Sequence, residues 1–468
     1  MECQKNTSSK VSLTGDFKGG LMDCRGIVAE PVSKRQLVYF RGSGEDKISN
    51  LPRELIDRIL LCLPTHDVAR TSVLSRFWRN IWCTFPFLVL DTRFYSELTS
   101  KKEIGTIASE FKKVVNMILS SHTGPILYFH LYITPVIRYC SIQLWIDQLS
   151  DKGLRSLDFS FKKRETVRLP LALFVCPELT RLRLFNWALA PFFKSGSFTS
   201  LTKVELFDTS ITHDMTFGKQ LKTLYLRRCS GIEHLAPQFR KDNNLRSVYF
   251  EMSTKFEWQW LQHTRKLGYL GLVLTPANSK MMKVHDLIKL LGEIPTLSYL
   301  VLYGPTLKVL GPPPSDVTSM MHTTKAENVR SFSLVFLKLC KLCPISKVVY
   351  LMRSFPNLQD LCIALVRTRA LDQVKSLSPT ELETEDYAGS LDWKDMFLDQ
   401  LQTVKIRGVV DSSYALYFIK HLLASCPSLK VISVFCSTKS SDPKENLRIK
   451  QELQQFPRLS LDAEVIWC

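Results

Sequence analysis

One short pattern, Leu-x-x-Leu-x-Leu, recurs along most of the chain and constrains its fold more than any other feature. Between Leu154 and Leu267 successive first positions lie 20 to 25 residues apart, within the spacing of about 20–29 residues for leucine-rich repeats. One match is weak, because any amphipathic strand can produce it, whereas eleven in series indicate a repeat protein. The first positions are Leu154, Leu179, Leu201, Leu221, Leu245, Leu267, Leu297, Val329, Leu358, Leu401 and Leu429, with Ile126 as a weaker earlier member.

Repeats of this kind predict an α/β fold. Each unit supplies one short strand that cannot bury its apolar face alone, so stacked neighbours share a parallel sheet and one continuous core. We expect the parallel strands on the concave face of a solenoid, with helices and loops on its convex face. Because strand side chains alternate, positions four and six of each unit point into the core and positions three, five and seven point outward.

The outward positions contain our candidates for partner contact. Six of their charged residues are basic and four are acidic, so these strands do not concentrate the net charge of +18. Aromatic residues on neighbouring strands can simply pack on one another, and that alternative stays open for each of them. Tyr and Arg are also enriched at binding hot spots. The predicted substrate-contact cluster is Arg181, Arg183, Phe185, Tyr225, Arg227, Tyr249 and Tyr269.

The segment before the repeats predicts a small helical module. Residues 1–46 have the composition of a flexible leader, and Pro52 suits the first turn of a helix. Pro64 ends that helix, Thr65 can cap the second helix, and Ser75 can cap the third. Three short helices bury too little surface to be stable alone, so their apolar faces need either the following domain or another protein. The apolar stripe of the first helix is Leu55, Ile56, Ile59, Leu60 and Leu63.

The module contains a recognisable series of residues: Ile48-Ser49-Asn50-Leu51-Pro52, Leu55, Ile59-Leu60, Leu63-Pro64, Asp67, Arg70-Thr71-Ser72-Val73-Leu74-Ser75 and Trp78-Arg79-Asn80-Ile81-Trp82. This series resembles an F-box, in particular the F-box of plant F-box, leucine-rich-repeat and FBD-domain proteins. Phe77 departs from that family, which usually has a basic residue before the Trp. The resemblance implies docking on the Skp adaptor, and through it on a cullin scaffold, by Leu51, Pro52, Leu55, Ile59, Leu60 and Leu63. Trp78 and Trp82 are either internal core or interface.

The C-terminal part looks like an FBD domain that can cap the repeats. From Leu401 the pattern predicts strand, helix, strand and helix, and the residues that match the family are 401–408, 426–429 and 456–458. An acidic segment precedes it. The predicted divisions are a leader at 1–46, the F-box at 47–92, leucine-rich repeats at 93–378, an acidic insertion at 379–399 and FBD-like terminal repeats at 400–468.

The sequence offers no set of residues for catalysis. Cys340 and Cys343 form a CxxC pair without the second pair that a zinc site needs, and we find no P-loop or glycine-rich dinucleotide motif. We therefore expect no catalytic residue, no metal and no cofactor, and a non-enzymatic protein. A polar N-terminus and the lack of an apolar run of about 20 residues predict an intracellular, soluble chain, in either the nucleus or the cytoplasm.

Together these features predict the substrate-recognition subunit of a Skp–cullin–F-box ubiquitin ligase. Such a receptor acts by proximity, holding a target protein near a charged ubiquitin carrier, and we expect it to be monomeric within the complex. The alternative is a repeat scaffold that binds a partner or an anionic ligand without degrading it. We find no nucleic-acid-binding motif.

Overall fold

The computed structural model describes the F-box region and most of the repeats. The described residues are 46–100, 106–134, 137, 139–161, 167–169, 173, 176–189, 198–240, 243–252, 259–274, 283–311, 325–337, 345–365, 398–409, 413–436 and 443–467. The predicted leader up to residue 45, the CxxC pair and the acidic insertion up to residue 397 lie outside them.

The chain divides into two compact units, residues 1–51 and residues 52–468. Of the first unit, residues 46–51 are described and form a turn, in which the Ser49 hydroxyl donates a hydrogen bond of 2.5 Å to Asp46 Oδ2. The second unit contains all the helices and strands given below.

Three short helices begin the second unit, as the sequence predicts: α1 (Arg53–Leu60), α2 (Thr65–Thr71) and α3 (Arg76–Cys83). Ser75 caps α3 as expected, since its hydroxyl oxygen accepts a 3.2 Å hydrogen bond from the Trp78 N–H. Thr65 differs from the prediction. It is the first helical residue of α2 rather than its cap, and its hydroxyl accepts a 3.1 Å hydrogen bond from the Val89 N–H.

The remaining α-helices of the described residues are distributed along the repeats. Their buried faces include Phe111 and Trp145 early in the chain and Leu422 near its end. A 3-10 helix also spans Ile232–Phe239. The helices are α4 (Thr92–Thr99), α5 (Ile107–Ser121), α6 (Tyr139–Asp151), α7 (Gln259–Gln262), α8 (Val284–Gly292), α9 (Gly304–Val309), α10 (Ile345–Arg353), α11 (Ser413–Ser425) and α12 (Pro443–Gln455).

The strands form one large parallel sheet and a small second sheet. In chain order they are β1 (Phe87–Leu90), β2 (Tyr128–Ile133), β3 (Ser156–Phe161), β4 (Val167–Arg168), β5 (Arg181–Phe185), β6 (Trp187–Leu189), β7 (Lys203–Phe207), β8 (Ser210–Ile211), β9 (Thr223–Arg227), β10 (Ser247–Met252), β11 (Tyr269–Leu274), β12 (Tyr299–Tyr303), β13 (Ser331–Leu337), β14 (Asp360–Leu365), β15 (Thr403–Val409), β16 (Val431–Cys436) and β17 (Glu464–Trp467). Strands β4, β6 and β8 form the small sheet, and the other fourteen form the large one in sequence order.

The large sheet confirms the repeat prediction. A strand is present at every Leu-x-x-Leu-x-Leu position from Ile126 onward, and equivalent positions pair directly, as with Leu157, Leu182 and Val204. Positions four and six face a continuous buried core. The opposite face of the sheet, which carries positions three, five and seven, is called the open face below. The flanking strands β1 and β17 were not predicted.

The turn after the strand repeats in three consecutive units. Asn186, Asp208 and Arg228 each follow a strand and have positive φ angles of 67°, 48° and 51°. The chain then passes inward, and a polar atom near the turn satisfies a strand carbonyl. Trp187 Nε1 donates to the Phe159 carbonyl at 3.1 Å and Cys229 Sγ donates to the Leu206 carbonyl at 3.4 Å. These two bonds link the repeats of Trp187 and Cys229 to the preceding repeats.

The three helices α1 to α3, called the helical head below, are joined to the start of the repeats by several contacts. Besides the Thr65–Val89 bond, the Thr123 N–H donates to the Cys83 carbonyl at 2.8 Å, and His66 Nδ1 lies 2.7 Å from Glu97 Oε2. Gly124 packs so closely that a Cβ there would lie 2.9 Å from Thr84 Cα. Helix α3 therefore ends directly against the start of the repeats.

Candidate functional site

Helix α1 divides its apolar residues between the core and the surface. Ile56 and Leu60 are each 1% exposed and belong to the core, whereas Leu55, Ile59 and Leu63 are 42%, 45% and 42% exposed. The exposed residues are spaced four apart, so they follow one side of the helix and the turn after it. This set, Leu55, Ile59 and Leu63, is called the α1 row.

A second exposed apolar group lies where α2 meets α3. Val73 and Leu74 are 82% and 71% exposed, and Phe77 is also exposed. From the sequence, Val73 and Leu74 lie in a stretch that resembles the F-box, but they were not predicted as adaptor contacts. Their position in the chain could have indicated their exposure, because both lie in the short turn between the end of α2 at Thr71 and Ser75, the cap of α3.

Internal bonds fix the orientation of α1. The Arg53 guanidinium donates to Thr84 Oγ1 at 2.9 Å and to the Thr84 carbonyl at 3.2 Å, while its Nε donates to Asp57 at 2.8 Å. Trp78 and Ile81 on α3 are buried. Since α1 is hydrogen-bonded to the end of α3 and its other apolar side, Ile56 and Leu60, is buried, its exposed row is held in place without a partner.

The predicted adaptor residues fall into different environments. Pro52, like the α1 row, is exposed, and Leu51 is half-buried in the first unit. Leu60 has no surface to offer, because its side chain faces the core. We therefore leave Leu60 out of the proposed contact. Trp78 is buried and Trp82 packs partly buried against the core, which favours the internal role for both.

Six aromatic rings make a continuous chain of contacts across the open face. Adjacent ring centroids are 6.2, 5.2, 4.0, 5.8 and 5.9 Å apart. The shortest contact joins Tyr225 and Tyr249, whose ring planes differ by only 3°. In order along the sheet the residues of this aromatic ladder are Phe185, Phe207, Tyr225, Tyr249, Tyr303 and Phe336.

The ladder crosses β11 at a glycine. A Cβ on Gly271 would lie 2.6 Å from Tyr249 Cδ2, so the Tyr249 ring occupies the space that a side chain on β11 would need. Tyr249 is only 6% exposed as a result. Tyr269 is not part of the ladder but stacks on Tyr299, with centroids 5.3 Å apart.

Ion pairs accompany the first half of the ladder. Arg227 Nε lies 2.8 Å from Glu251 Oε2, and Lys203 Nζ lies 3.1 Å from Glu205 Oε1. The buried Asp158 carboxylate lies 3.0 Å from His130 Nδ1 and 3.5 Å from Arg183, whose guanidinium also stacks over Phe207. These carboxylates are neutralised within the sheet.

Burial raises the pKa values of the tyrosine hydroxyls of the ladder further above neutral pH. Removal from water raises the pKa of Tyr225 to about 12, although its hydrogen bond with Tyr249 acts in the opposite direction. The pKa values of Tyr249 and Tyr303 are also raised, chiefly by burial. At neutral pH this part of the open face therefore presents uncharged rings and hydroxyl groups.

The predicted substrate cluster is only partly a surface. Arg183, Phe185, Tyr225, Arg227 and Tyr249 lie together along the ladder, but Tyr249 is covered by its neighbours. Arg181 is exposed at the outer edge of β5. For Tyr225 and Tyr249 the alternative of mutual packing therefore describes the arrangement, while substrate contact stays a prediction for the exposed members.

The far end of the ladder contains a residue that the sequence analysis missed. Strand β13 has a bulge between Val335 and Leu337, and Phe336 at the bulge has a φ angle of 57° and is 41% exposed. Simple alternation would bury Phe336. A left-handed conformation at a residue with a Cβ is unfavourable by about 1–2 kcal/mol, and such strain is frequent at functional sites.

Two family models match the chain. The F-box domain model matches residues 48–90, and the model described as "FBD-associated F-box protein At5g56370, LRR repeats" matches residues 142–363. The two matched regions coincide with the helical head with β1, and with the large sheet from α6 to β14.

Relatives from Arabidopsis thaliana extend the similarity over nearly the whole chain. The F-box/FBD/LRR-repeat protein At1g13570 is 27% identical over 91% of this chain and 99% of its own. F-box/LRR-repeat protein 13 is 26% identical over 92% of this chain and 98% of its own. The FBD-associated F-box protein At5g56370 is 38% identical over 31% of this chain and 33% of its own.

The chain thus combines a segment that matches the F-box domain model with a sheet region that matches the leucine-rich-repeat model. Relatives named as F-box/FBD/LRR-repeat or F-box/LRR-repeat proteins are similar to it over nearly their full length, and the resemblance stated from the sequence is confirmed. Within the described ranges, no helix combines the length and apolar character needed to cross a membrane.

Proposed function

We propose that this protein is the substrate-recognition subunit of a Skp–cullin–F-box ubiquitin ligase. Its F-box docks on the Skp adaptor through the α1 row, Pro52 and the group Val73, Leu74 and Phe77. Its open face holds a target protein for ubiquitination. The protein itself acts as a receptor and leaves the transfer chemistry to the enzymes that the scaffold brings.

The observation that carries this proposal is the exposed apolar surface of a folded F-box. Val73 and Leu74 are the two most exposed of its large apolar residues, and a soluble protein gains nothing by leaving such side chains in water. The α1 row is half-exposed on a helix whose other apolar side is already buried. The F-box is therefore folded, yet it leaves apolar side chains in water that a binding partner could cover.

The junction between head and sheet supports the proximity mechanism. Hydrogen bonds from Thr123 to Cys83 and from Val89 to Thr65, with the close packing of Gly124 on Thr84, connect the F-box to the first strands. A target bound on the sheet is then held at a defined distance from the adaptor. Such tethering raises the local concentration of substrate lysines near the ubiquitin carrier.

A pull-down with the purified Skp adaptor tests the docking. The triple variant Leu55→Asp/Ile59→Asp/Leu63→Asp places three charges where the adaptor would cover apolar surface, and we expect recovery of the adaptor to be lost. The matched control is Met117→Asp/Leu144→Asp, since these two residues are similarly exposed on helices α5 and α6. The control variant should recover the adaptor like the wild type.

Two results would contradict the proposal. One is equal recovery by the wild type and the triple variant; the other is a wild-type protein that binds no adaptor at all. Circular dichroism of each variant separates a lost interface from a lost fold, because all five substituted side chains are exposed and their replacement should leave the spectrum unchanged.

A further inference from the structure

The bulge in β13 places the side chain of Phe336 on the open face, although strand alternation would place it in the core. The neighbouring residues Leu334 and Leu337 are buried, and the extra residue in the bulge turns Phe336 toward the open face. There its ring lies 5.9 Å from that of Tyr303. The structure accommodates the bulge at Gly304, where a Cβ would lie 2.2 Å from the Phe336 carbonyl oxygen.

A second bulge two strands away shows what the backbone alone requires. Strand β15 shifts register between Arg407 and Val409, at the same level of the sheet, and the residue there is Gly408 with a φ angle of 80°. Glycine adopts this conformation without strain. A glycine is enough to form the bulge in β15, so the backbone conformation does not require a phenylalanine at the bulge in β13. We take the aromatic side chain of Phe336 to have a role of its own on the open face.

Two exposed cations lie on the open face two strands away from Phe336. Lys405 and Arg407 project from the open face of β15, next to Phe435, over which the Arg407 guanidinium stacks at 5.5 Å. Strand β14 between them and β13 carries only Cys362 and Ala364 at the equivalent positions. These small side chains leave both cations accessible from the side of Phe336.

Among the residues that the structure describes, the charges around this region leave a local positive excess. In the described part of the chain, neither Lys405 nor Arg407 has a carboxylate within ion-pair distance. Asp360, at the outer edge of β14, accepts a 3.0 Å hydrogen bond from the Ser331 hydroxyl, and Glu251 further along the face is paired with Arg227. A ligand for this region should therefore combine negative charge with an apolar group.

We propose that Phe336, Lys405 and Arg407 form a docking site for an extended acidic peptide segment of the target protein. The inference rests on the proposed function, because it takes target capture to be the role of the open face. It names a different part of that face from the cluster around Arg183 and Tyr225 that the sequence predicted.

The spacing of the strands defines the peptide. Strands β13 and β15 are separated by two intervals, about 10 Å in all, which an extended chain covers in about three residues. Along β15, Lys405 and Arg407 lie two residues apart. The matching motif is a large apolar residue, two intervening residues, then acidic residues at the third and fifth positions after it.

Binding of a synthetic peptide to the full chain tests this site. The probe is fluorescein-labelled Ser-Gly-Phe-Ser-Ser-Glu-Ser-Glu-Gly-Ser, and fluorescence polarisation measures its affinity. We expect Phe336→Gly to weaken binding at least fivefold and Lys405→Glu/Arg407→Glu to weaken it at least tenfold. Phe336→Asn, which also tolerates a positive φ angle, should behave like the glycine variant.

Stability and charge controls accompany the measurement. Since glycine relieves the backbone at the bulge, Phe336→Gly should unfold at the same temperature as the wild type or above it. The charge control is Lys222→Glu/Arg246→Glu, two exposed cations that precede their strands and lie off the open face. This variant should bind the probe with the same affinity as the wild type, unlike Lys405→Glu/Arg407→Glu.

The proposal is overturned if the wild type does not bind the probe more tightly than a peptide with the Phe moved beyond the second Glu. It is also overturned if the Phe336 variants bind like the wild type, or if the charge control loses as much affinity as Lys405→Glu/Arg407→Glu. Adaptor recovery by the same variants reports separately on the proposed function, because none of these substitutions touches the F-box.

Discussion

Two adjacent residues of helix α1 should respond in opposite ways to the same substitution. Ile59 faces solvent at 45% exposure, whereas Leu60 faces the core at 1%. Full burial of such a side chain contributes about 1.5–3 kcal/mol, so covering the exposed part of Ile59 on the adaptor contributes about 1 kcal/mol. Ile59→Ala should then weaken adaptor binding about fivefold, with little effect on folding.

Leu60→Ala should instead destabilise the protein. Truncation of a fully buried leucine lowers the free energy of unfolding by about 2–5 kcal/mol, depending on how far the cavity collapses. Titration calorimetry with the adaptor gives the affinity, and urea unfolding gives the stability. The reasoning is refuted if folded Leu60→Ala loses more adaptor affinity than Ile59→Ala, or if Ile59→Ala is the less stable variant.

Three further perturbations follow from the structure. Burial lowers the pKa of His122, so the folded state favours the neutral ring and the unfolded chain binds the proton at a higher pH. The free energy of unfolding should therefore fall as the pH drops below about 6.5. Urea unfolding at several pH values should show a weaker pH dependence for His122→Gln than for the wild type. Gly124→Val should push the helical head away from the first strands and reduce the free energy of unfolding, measured in urea, by about 1–3 kcal/mol. An unchanged free energy of unfolding would contradict this prediction. Gly271→Val should displace the Tyr249 ring and let one more tyrosine ionise near its ordinary pKa of about 10; an unaltered tyrosinate absorbance titration would show that the ring had not been displaced.

The periodic features of the fold could be predicted from the sequence. The Leu-x-x-Leu-x-Leu spacing gives the strands, because a parallel sheet needs the same two apolar side chains to face the core in every unit. The two helices after Leu401, observed as α11 and α12, were expected in the same way from the order strand, helix, strand, helix. Strand β17 was missed, since Glu464–Trp467 is too short to show a period and lies at the edge of the sheet.

The candidate sites depend on features that a single sequence does not show. The five apolar residues from Leu55 to Leu63 have helical spacing, and only the burial of one side of α1 in the folded chain separates Leu60 from Ile59. Tyr249 has an outward position, but its burial follows from the missing side chain of Gly271 on the next strand. Phe336 would be assigned to the core by alternation, because nothing in the local pattern marks the bulge.

The central claim is that the folded F-box is the surface that receives the adaptor. Hydrogen–deuterium exchange of the full chain, with and without saturating Skp adaptor, tests it directly. We predict slower exchange in residues 53–83 and little change in the strands from β2 to β16. Unchanged exchange in residues 53–83, or protection confined to the sheet, would contradict the account.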